Sequence, residues 1–475
     1  MKEWSAGMLG LSRDEAAVPE LMAEVCRIAL DFLADTRDAK VVNTQIHNRA
    51  TQSEMPEHGI GSLAALATYW ESYGASHSRS TGPRYFGFVT GGTTPAALAG
   101  DWLVSVLDQN VATERHSVAA FIEAQTLSFL TDLLRLPSGA FHGVLTTGAT
   151  AANLVGLATA REWCGEQNNV SISQDGIQAA LPVMVFCASP HSSIVKDLGL
   201  LGIGQRNFIK VDCLPDREVF DLDALEQSLA TCTSPCRIVV ASAGTVNSGD
   251  FDDLVSLATL CKKYGAWLHV DAAFGAFARC SSQYAHLVEG LELADSITAD
   301  AHKWLNVPYD CGIAFTRHVT LHERAFSADA PYVPLEGQLP AYMNRGVEQS
   351  RRYRALPLWM TLMAYGKAGY RELIERHCGY AQRIASWVDE SSCFKLLCEV
   401  RLNLLVFRYF KDGCSPNTLA ELNRQVLSNL NSSGELYITP TTYKGEYALR
   451  LSISNWMTQE EDINRVTAAL QRAAD

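Results

Sequence analysis

Apolar residues recur at helical spacing through the first part of the chain. Leu21, Val25, Ile28 and Phe32 form one such face, and the sequence up to about Ser80 has helical character. Two further faces follow between 98 and 134, and Pro137 closes the second of them. Their members are Leu98, Trp102, Leu103, Val106 and Leu107, then Val118, Phe121, Ile122, Phe129, Leu130, Leu133 and Leu134.

Short apolar runs alternate with helical patterns in the middle of the chain. Runs that are apolar throughout are typical of strands buried on both faces. The alternation predicts an α/β fold with a mostly parallel central sheet and helices on both faces, and such sheets bind ligands at the carboxyl ends of their strands. The runs cover 182–189, 206–212, 237–243, 266–272, 296–299 and 312–316, and the helical patterns between them cover 149–163, 221–230 and 252–264.

A long segment from Ser327 to Gln349 precedes the C-terminal part. It has little periodicity and several prolines and glycines, and loops of that length are usually functional or disordered. Helical and strand-like patterns follow over 356–390, 402–410, 416–430 and 447–454. We therefore expect an N-terminal helical segment (1–84), a large domain (85–358) and a smaller α+β C-terminal domain (359–475).

Composition narrows the function classes. The 475 residues are 47% hydrophobic and 19% charged, as is usual for a globular protein, and the net charge of −13 disfavours nucleic acid and anionic lipid as partners. The 13 cysteines include no CxxC pair, so we expect reduced thiols and a cytoplasmic location. We expect neither a signal peptide nor a transmembrane helix.

Lys303 lies in the segment DAHKW, directly after a strand-like run. A lysine in that position is costly to bury unless it is paired or used, and desolvation turns its amine into a nucleophile and imine former. A lysine that simply emerges into solvent explains this motif alone equally well.

Asp271 closes the run AWLHVD, where a buried carboxylate requires a cationic partner. The protonated ring nitrogen of pyridoxal 5'-phosphate (PLP) is such a partner, and the small Ala272 and Ala273 would leave room for a flat ring. The alternative is an ordinary pair with an arginine or histidine, for example His269.

Two further signals fall after predicted strands. The segment TTGATAANL runs through Gly148 into a helix, and the first N–H groups of a helix, here at Ala149 and Thr150, bind phosphate well. Any capped helix looks similar. His191 follows the run 182–189, where its ring can stack on a cofactor or simply cap the next helix.

With these four signals in this order, the sequence resembles the group II PLP-dependent amino-acid decarboxylases, which include aromatic-L-amino-acid, histidine and glutamate decarboxylases. The resemblance covers nearly the whole chain, and HVDAA together with HKW is its most specific part. It implies fold type I of the PLP-dependent enzymes and a homodimer with active sites formed between subunits. The matching stretches are YFGF (85–88), GVLTTGATAANLVGLATAR (143–161), HSSIVKDLGLLG (191–202), GTVNSGDFDDL (244–254), HVDAAFGA (269–276), DAHKWLNVPYDCG (300–312) and SRRYRALPLW (350–359).

The resemblance also implies roles for single residues. Lys303 is expected to form the internal aldimine with PLP, Asp271 to pair with the pyridine nitrogen and Ala273 to pack on the ring. His191 is expected on the opposite ring face, near the substrate carboxylate. No metal site is implied. Four residues are expected around the phosphate or elsewhere against the cofactor, namely Ala149, Thr150, Thr245 and His302.

The long segment contains the expected acid. Positions elsewhere in the chain depart from the family pattern. Tyr332 matches the mobile-loop tyrosine that family decarboxylases use to protonate the substrate carbon; Tyr342 is a rival, and a tyrosine that merely anchors the loop is the alternative. The family often has Asn where this chain has Asp300, and a hydroxyl residue where it has Val246. Because a carboxylate would repel the phosphate, we expect Asp300 to point elsewhere.

The resemblance therefore implies PLP-dependent decarboxylation of an L-amino acid to an amine and carbon dioxide. An aldehyde-forming oxidative decarboxylase and an aminotransferase are alternatives on the same fold. The aminotransferase would use Arg450 to hold the α-carboxylate, although a surface or domain-packing ion pair explains Arg450 more simply. A relative that binds PLP or a partner protein without catalysis is an alternative of another class.

The segment 82–92 matches a pocket-lining region of the family. Tyr85, Phe86 and Phe88 could stack on an aromatic substrate or belong to the core. Arg84 could favour an acidic substrate or face solvent. We expect an aromatic amino acid as the substrate.

Overall fold

A seven-stranded sheet forms the centre of the chain, as the apolar runs predict. The computed structural model describes residues 14–42, 54–55, 57–115, 117–180, 182–328 and 338–474. The strands of this sheet are β1 (His142–Thr146), β2 (Met184–Cys187), β3 (Phe208–Lys210), β4 (Arg237–Ser242), β5 (Ala266–Asp271), β6 (Ser296–Asp300) and β7 (Gly312–Thr316). A second sheet contains β8 (Phe394–Leu396), β9 (Leu404–Tyr409), β10 (Thr439–Tyr443) and β11 (Glu446–Ser452).

Helices surround both sheets. They are α1 (Val18–Asp35), α2 (Ser62–Tyr73), α3 (Pro95–Leu107), α4 (Ala119–Leu133), α5 (Ala149–Glu166), α6 (Ile172–Asp175), α7 (Ser192–Leu200), α8 (Leu222–Thr231), α9 (Leu254–Tyr264), α10 (Ala301–Trp304), α11 (Val319–Phe326), α12 (Ala355–Glu390), α13 (Pro416–Ser433) and α14 (Glu460–Ala474). Short 3₁₀ helices lie at Glu15–Ala17, Gly74–Ser76, Ile177–Ala179, Gln205–Asn207, Gly275–Cys280, Ala285–Val288, Leu291–Leu293 and Tyr342–Asn344.

The strand order of the large sheet is β1-β7-β6-β5-β4-β2-β3. The strands from β6 to β3 pair in parallel, whereas β7 runs antiparallel to both of its neighbours. The predicted mostly parallel sheet is therefore confirmed. Because β5 and β6 are parallel neighbours, with Asp271 opposite Thr298, the segments that follow both strands leave the sheet at one edge. That edge carries Asp271 and, a few residues after β6, Lys303.

The periodicity predicts all of the central strands except β1. This strand is short and contains Gly143, which weakens the apolar pattern. A Cβ atom at residue 143 would lie 2.8 Å from the ring of Phe315 on β7, so the glycine is required by close packing between the strands. Two short strands of the C-terminal sheet, β8 and β10, are also missing from the sequence-based prediction.

The second sheet is antiparallel, in the order β10-β11-β9-β8, and packs with α12, α13 and α14 around its own apolar core. Helix α12 begins in contact with α3 and α4 of the large unit and ends beside β8. The boundary expected between residues 358 and 359 falls inside this helix. The division of the chain into three parts stays a prediction.

A buried ion pair connects the large sheet to the segment before α12. The Glu123 carboxylate on α4 accepts hydrogen bonds from both terminal nitrogens of Arg351, at 2.8 and 3.1 Å, and from the Leu145 N–H at 3.0 Å. Arg351 in turn donates to the Leu145 carbonyl at 2.6 Å. Each charge is matched by several hydrogen bonds, as burial of an ion pair requires.

The N-terminal helices expected from the first apolar face are confirmed over the described residues, but they bury little. Ile28 is the buried residue of α1, and α2 has none. Large apolar side chains remain exposed on α1 and α2 and on the neighbouring surfaces of α3 and α4; they include Leu30, Leu33, Tyr69, Tyr73, Leu103, Val106, Leu107 and Phe121. Across the described residues, no helix has the length and apolarity needed to cross a bilayer.

Asp197 on α7 generates a prediction about stability. It has no exposed surface, and neither of its carboxylate oxygens has a hydrogen-bond partner. Burial raises the pKa of Asp197 to about 7, well above that of an aspartate in an unfolded chain. Burying Asp197 costs the most free energy when its carboxyl group is charged. Asp197 therefore lowers the free energy of unfolding progressively as the pH rises from about 4 to 7.

We expect Asp197→Ala to stabilise the protein at pH 8 by about 2–4 kcal/mol, since each unit of pKa shift corresponds to about 1.4 kcal/mol. The gain should shrink as the pH is lowered towards 5. Urea unfolding at both pH values measures this, with Leu200→Ala as the control at an exposed position of the same helix. Equal effects at the two pH values would contradict the burial of a charged group.

Candidate active site

A cavity of about 270 Å³ opens at the carboxyl edge of β5 and β6. Six residues predicted from the sequence line it together, namely Lys303, Asp271, Ala273, His191, Ala149 and Thr245. They come from five separate segments of the large unit. The second sheet completes the wall with Thr439, Pro440 and Thr441 from the β10 region and Arg450 from β11.

Lys303 is presented to the cavity by the short helix α10, directly after β6. The backbone of residue 91 packs against it so closely that a Cβ atom there would lie 1.7 Å from the Lys303 carbonyl oxygen, which only glycine allows. The Lys303 side chain is 22% exposed, and its Nζ lies 6.0 Å from the centre of the Phe274 ring. The interpretation of Lys303 as a lysine emerging into solvent is therefore not supported.

Asp271 is held by two hydrogen bonds. Its Oδ2 accepts from the Asn153 side-chain amide at 3.0 Å, and its Oδ1 accepts from the Ala273 N–H at 3.2 Å. Among the residues that the structure describes, Asp271 forms no ion pair, so the suggested pair with His269 is not present. The carboxylate remains available to a cationic partner in the cavity.

Asn153 is itself oriented by a chain of hydrogen bonds through the core. Trp267 donates to the Ser296 hydroxyl at 2.9 Å, and that hydroxyl lies 2.8 Å from His269 Nδ1. His269 Nε2 lies 2.9 Å from the Asn153 carbonyl oxygen. Because that oxygen can only accept, Nε2 carries the proton and Nδ1 accepts from serine. Burial lowers the pKa of His269 to about 4, so the ring is neutral and the chain has one direction, ending on Asp271.

Asn153 is a site residue that the sequence patterns did not predict. Its signal was present, since Asn153 is a polar residue on an otherwise apolar stretch of α5 just after the glycine turn. A buried asparagine must find partners for its amide, which makes it a candidate for holding another polar group.

His191 combines both of its expected roles. It is the N-cap of α7, where its Nδ1 accepts from the Ser193 N–H at 3.2 Å, and it also lines the cavity. Burial lowers its pKa, so the ring is neutral near pH 7. The ring therefore faces the cavity in an orientation fixed by the capping interaction.

The N-terminus of α5 lies at the cavity and has no side-chain cap. Gly148 precedes it at φ +148°, a conformation that favours glycine, and Ala149 lines the cavity. The uncapped N–H groups and the helix dipole make this end a site for an anion. Thr150, also predicted here, lies one residue further along α5 and is not among the lining residues.

Thr245 is held on the opposite wall by Glu218. The Thr245 hydroxyl donates to the Glu218 carboxylate at 2.8 Å, and this carboxylate also accepts from the Ser248 N–H and from the Asn247 side chain. Asn247 in turn accepts from the Thr441 hydroxyl at 2.6 Å. Glu218, Asn247 and Thr441 were not identified from the sequence, because their contacts join segments distant in the chain.

Arg450 is a buried cation without a carboxylate partner. It donates to the Val246 and Phe88 carbonyls, each at 2.7 Å, and burial lowers its pKa to about 10. Within the described part of the chain it forms no ion pair, so the expected surface or domain-packing ion pair is wrong. Its guanidinium faces the cavity and keeps its charge at neutral pH.

Asp300 does not point away from the site, contrary to our expectation. Its Oδ2 lies 3.5 Å from Lys303 Nζ and 3.2 Å from His302 Nε2. His302 packs against Tyr309 with ring centres 4.3 Å apart and planes tilted by 36°, and it lies behind the cavity rather than on its wall. A Cβ atom on residue 148 would lie 3.2 Å from the His302 ring, so His302 supports the helix turn proposed for the phosphate.

The substrate-wall residues expected from 82–92 separate into three groups. Phe88 lines the cavity, whereas Phe86 is buried in the core of the C-terminal unit and Tyr85 stacks on Tyr437 at 4.9 Å. Arg84 is neither exposed nor at the cavity; it is buried and lies 3.3 Å from the Asp462 carboxylate. A role for Arg84 in selecting acidic substrates is thereby removed.

The two candidate tyrosines of the long segment have different outcomes. Tyr332 lies outside the described residues. Tyr342 is 1% exposed, and its ring packs 5.6 Å from the guanidinium of Arg351 in the core. Burial raises the pKa of Tyr342, and it does not line the cavity of its own chain. Its position favours an anchoring role over an acid.

These features fit PLP. A lysine, a carboxylate with a free side, a small alanine, a neutral histidine and an uncapped helix end meet in one cavity. The lysine suits the aldehyde of that cofactor and the carboxylate suits its ring nitrogen. The alanine and histidine suit the two ring faces, and the helix end suits the phosphate. The fit of the phosphate end depends on Gly148, since any side chain there would fill the space beside His302.

The chain is similar to known pyridoxal-dependent decarboxylases. The family model described as the pyridoxal-dependent decarboxylase conserved domain matches residues 72–410. An aromatic-L-amino-acid decarboxylase of Drosophila lebanonensis is 30% identical over 370 residues, covering 74% of this chain and 89% of that protein. An L-2,4-diaminobutyrate decarboxylase of Acinetobacter baumannii is 28% identical over 391 residues, covering 78% and 76%.

The fold is shared with solved structures as well. The crystal structure of Oryza sativa TDC with PLP and tryptamine has a TM-score of 0.89 and 22% identity, covering 96% of this chain and 97% of that one. Lys303, Asp271 and His191 lie within the matched domain. The chain belongs to the pyridoxal-dependent decarboxylases and is a PLP-dependent amino-acid decarboxylase.

Proposed function

We propose that this enzyme converts a neutral L-amino acid with an aromatic side chain into the corresponding amine and carbon dioxide. The observation that carries the proposal is the meeting of Lys303, Asp271 and the unpaired Arg450 in one cavity. The aromatic substrate rests on the charges and the apolar surfaces of that cavity.

The roles of the residues around the cofactor follow from their contacts. Lys303 would hold PLP covalently, Asp271 would bind its ring nitrogen, and Ala273 and His191 would bracket the ring. PLP, when bound, supplies a protonated ring that accepts electrons from the bond broken at the substrate α-carbon. Asn153 keeps the Asp271 carboxylate turned towards that nitrogen. The N–H groups at Ala149 and Thr150, the Thr245 wall and His302 would complete the contacts.

Arg450 would bind the substrate carboxylate. It is a buried, unpaired guanidinium in the cavity wall, and a carboxylate is the anion that an arginine binds best. His191 lies on the same cavity and would approach this carboxylate. By holding it, the two residues would fix the orientation of the substrate's α-carbon and so select the bond that breaks.

The charges of the wall favour a neutral side chain. Beyond Lys303, Asp271 and Arg450, which have roles already, the lining residues of the described chain contain no further acidic, lysine or arginine side chain. A cationic substrate would lack a counter-ion there, and so would an acidic one. Phe88, Phe274 and Val89 provide apolar surface against which an aromatic ring could pack.

A second copy of the chain is the partner that fits the exposed apolar surface. Leu30, Leu33, Tyr69, Tyr73 and Phe121 lie on helices of the N-terminal half and are large, apolar and exposed. Packing against another chain would remove this apolar surface from water. We propose a homodimer.

The cysteines, all present as free thiols, support a cytoplasmic location.

A panel of amino acids tests the proposed reaction. Aromatic, acidic and diamino substrates should be incubated with the PLP-loaded protein, and carbon dioxide, amine, ammonia and hydrogen peroxide measured. We expect carbon dioxide and amine in equal amounts, with an aromatic substrate preferred, and no turnover by Lys303→Ala. Preference for an acidic or diamino substrate would overturn the substrate assignment, whereas ammonia and peroxide would identify the aldehyde-forming reaction.

Removing the charge of Asp271 should impair the cofactor site. We expect Asp271→Asn to bind PLP more weakly and to lower kcat by about 10²-fold or more, because the ring nitrogen would lose its anionic partner. PLP titration by fluorescence and single-substrate kinetics measure both effects. Asp212→Asn, at an exposed carboxylate after β3, is the control. A normal rate in Asp271→Asn would remove this carboxylate from the reaction.

The loop acid can be tested by a matched pair of variants. We expect Tyr332→Phe to shift the product from amine towards aldehyde, because the carbon left after loss of carbon dioxide would lack its proton donor. Dissolved oxygen would oxidise that carbon instead, with release of ammonia and hydrogen peroxide. Tyr342→Phe should keep the amine product, since that tyrosine is buried against Arg351. Amine and aldehyde yields are measured by chromatography. The opposite pattern would make Tyr342 the acid.

A further inference from the structure

We propose that Asp300 is a positioning residue that serves as the counter-ion of Lys303 and keeps a proton on the Lys303 nitrogen. The proposal rests on the assignment of Lys303 as the residue that binds PLP. It concerns a position at which this chain departs from the Asn of the family pattern.

The contact between the two residues is direct. Asp300 is the last residue of β6, and its Oδ2 lies 3.5 Å from Lys303 Nζ. Asp300 is 2% exposed, so water screens the interaction only weakly. Among the described residues, no other carboxylate lies within 4.0 Å of Lys303 Nζ. Asp271, the acid that lines the cavity, accepts instead from the Asn153 side chain and the Ala273 N–H.

His302 supports the negative charge of Asp300. The Cys311 N–H donates to His302 Nδ1 at 3.2 Å, so Nδ1 carries no proton. The proton of the neutral ring is therefore on Nε2, which lies 3.2 Å from Asp300 Oδ2. Asp300 Oδ2 thus faces two donors, one from His302 and one from Lys303. This geometry directs the Asp300 carboxylate at the lysine.

The other oxygen of Asp300 makes the residue unusual. Asp300 Oδ1 is buried and has no hydrogen-bond partner. A buried carboxylate oxygen without a partner is costly, and an asparagine would remove the charge while keeping the shape. Since half of the carboxylate is unsatisfied, we infer that the Lys303 contact, rather than local packing, gives the charge its role.

The remaining titratable groups around the pair do not supply this charge. Burial lowers the pKa of His191, which faces Asp300 and Lys303 across the cavity, so that its ring is neutral. Burial raises the pKa values of Tyr309 and Cys311, which lie on the segment before β7. These three groups are uncharged near pH 8, which leaves Asp300 and Asp271 as the anions of the site.

A carboxylate beside the Lys303 nitrogen favours the protonated form of that nitrogen both in the free protein and when it is bonded to PLP. An opposite charge at 4–6 Å changes a proton affinity by about tenfold or more. In the bonded state, the protonated form is the one that absorbs at longer wavelength and is yellow. Asp300 should therefore extend the pH range over which the protein stays yellow.

The first experiment is a pH titration of the visible spectrum of PLP-loaded wild type, Asp300→Asn and Asp310→Asn. Asp310 is a suitable control because its carboxylate pairs with Arg354 at 2.7 Å and not with Lys303. We expect Asp300→Asn to lose its yellow band at a hydroxide concentration about tenfold or more below the one that wild type requires. Asp310→Asn should match wild type. Identical midpoints for wild type and Asp300→Asn would overturn the proposal.

The second experiment does not require PLP. The apo protein is treated at pH 8 with trinitrobenzenesulfonate, which reacts with unprotonated amines, and modification of Lys303 is followed by mass spectrometry of its peptide. We expect labelling in Asp300→Asn to be about tenfold or more faster than in wild type, and Asp300→Glu to restore slow labelling. Unchanged labelling in Asp300→Asn would overturn the proposal even if this variant bound PLP poorly.

The two outcomes separate this proposal from the assignment of Lys303. A wild-type protein that shows no yellow band and no borohydride-sensitive bond to Lys303 would remove the lysine from its role. A normal yellow band in wild type with an unchanged pH midpoint in Asp300→Asn would remove only Asp300. Circular dichroism of each variant confirms that the fold is retained.

Discussion

The parallel pairing of β5 with β6 is the constraint on which the site depends. It brings the ends of two strands to one edge and places Asp271 and Lys303 on the same cavity. The pairing alone would leave the Asp271 carboxylate free to rotate. The chain of hydrogen bonds from Trp267 through Ser296, His269 and Asn153 fixes it, because the neutral His269 holds the Asn153 carbonyl oxygen and so turns the Asn153 amide towards Asp271.

The site is built by two units of the chain. The large sheet supplies Lys303 and Asp271, and the second sheet contributes Arg450 and Thr441 to the opposite wall. The turn at 245–248 connects them, since Glu218 holds Thr245 and Asn247 while Val246 accepts from Arg450. The polar wall and the cation are therefore positioned by one network.

Two aspartates at the site differ in their contacts: Asp271 lines the cavity, and Asp300 lies behind it beside Lys303. Asp271 accepts a hydrogen bond on each oxygen and keeps a free side towards the cavity. Asp300 Oδ2 lies 3.5 Å from Lys303 Nζ, and Asp300 Oδ1 has no hydrogen-bond partner among the described residues. The first arrangement suits a permanent partner such as a protonated ring nitrogen. The second arrangement places the negative charge of Asp300 beside the Lys303 nitrogen. The two carboxylates thus have different electrostatic roles because their contacts differ.

The sequence by itself determined the fold class and the central residues. Apolar runs such as 266–271 and 296–300 report burial on both faces, and the order of the strands places their ends at one edge, so Lys303, Asp271, His191 and Ala149 could be assigned to one site before the structure was known. Local patterns suffice here because each residue sits directly at the end of a strand or the start of a helix.

Only the tertiary structure decided the contacts that join distant segments. Arg450 looked like an ion-pair residue, and its partners proved to be carbonyls of residues 88 and 246. Arg84 and Tyr342 looked like site residues and are buried elsewhere, while Asp300 faces the lysine that it was expected to avoid. Side-chain direction depends on packing between elements far apart in the chain, and periodicity along the chain contains no record of it.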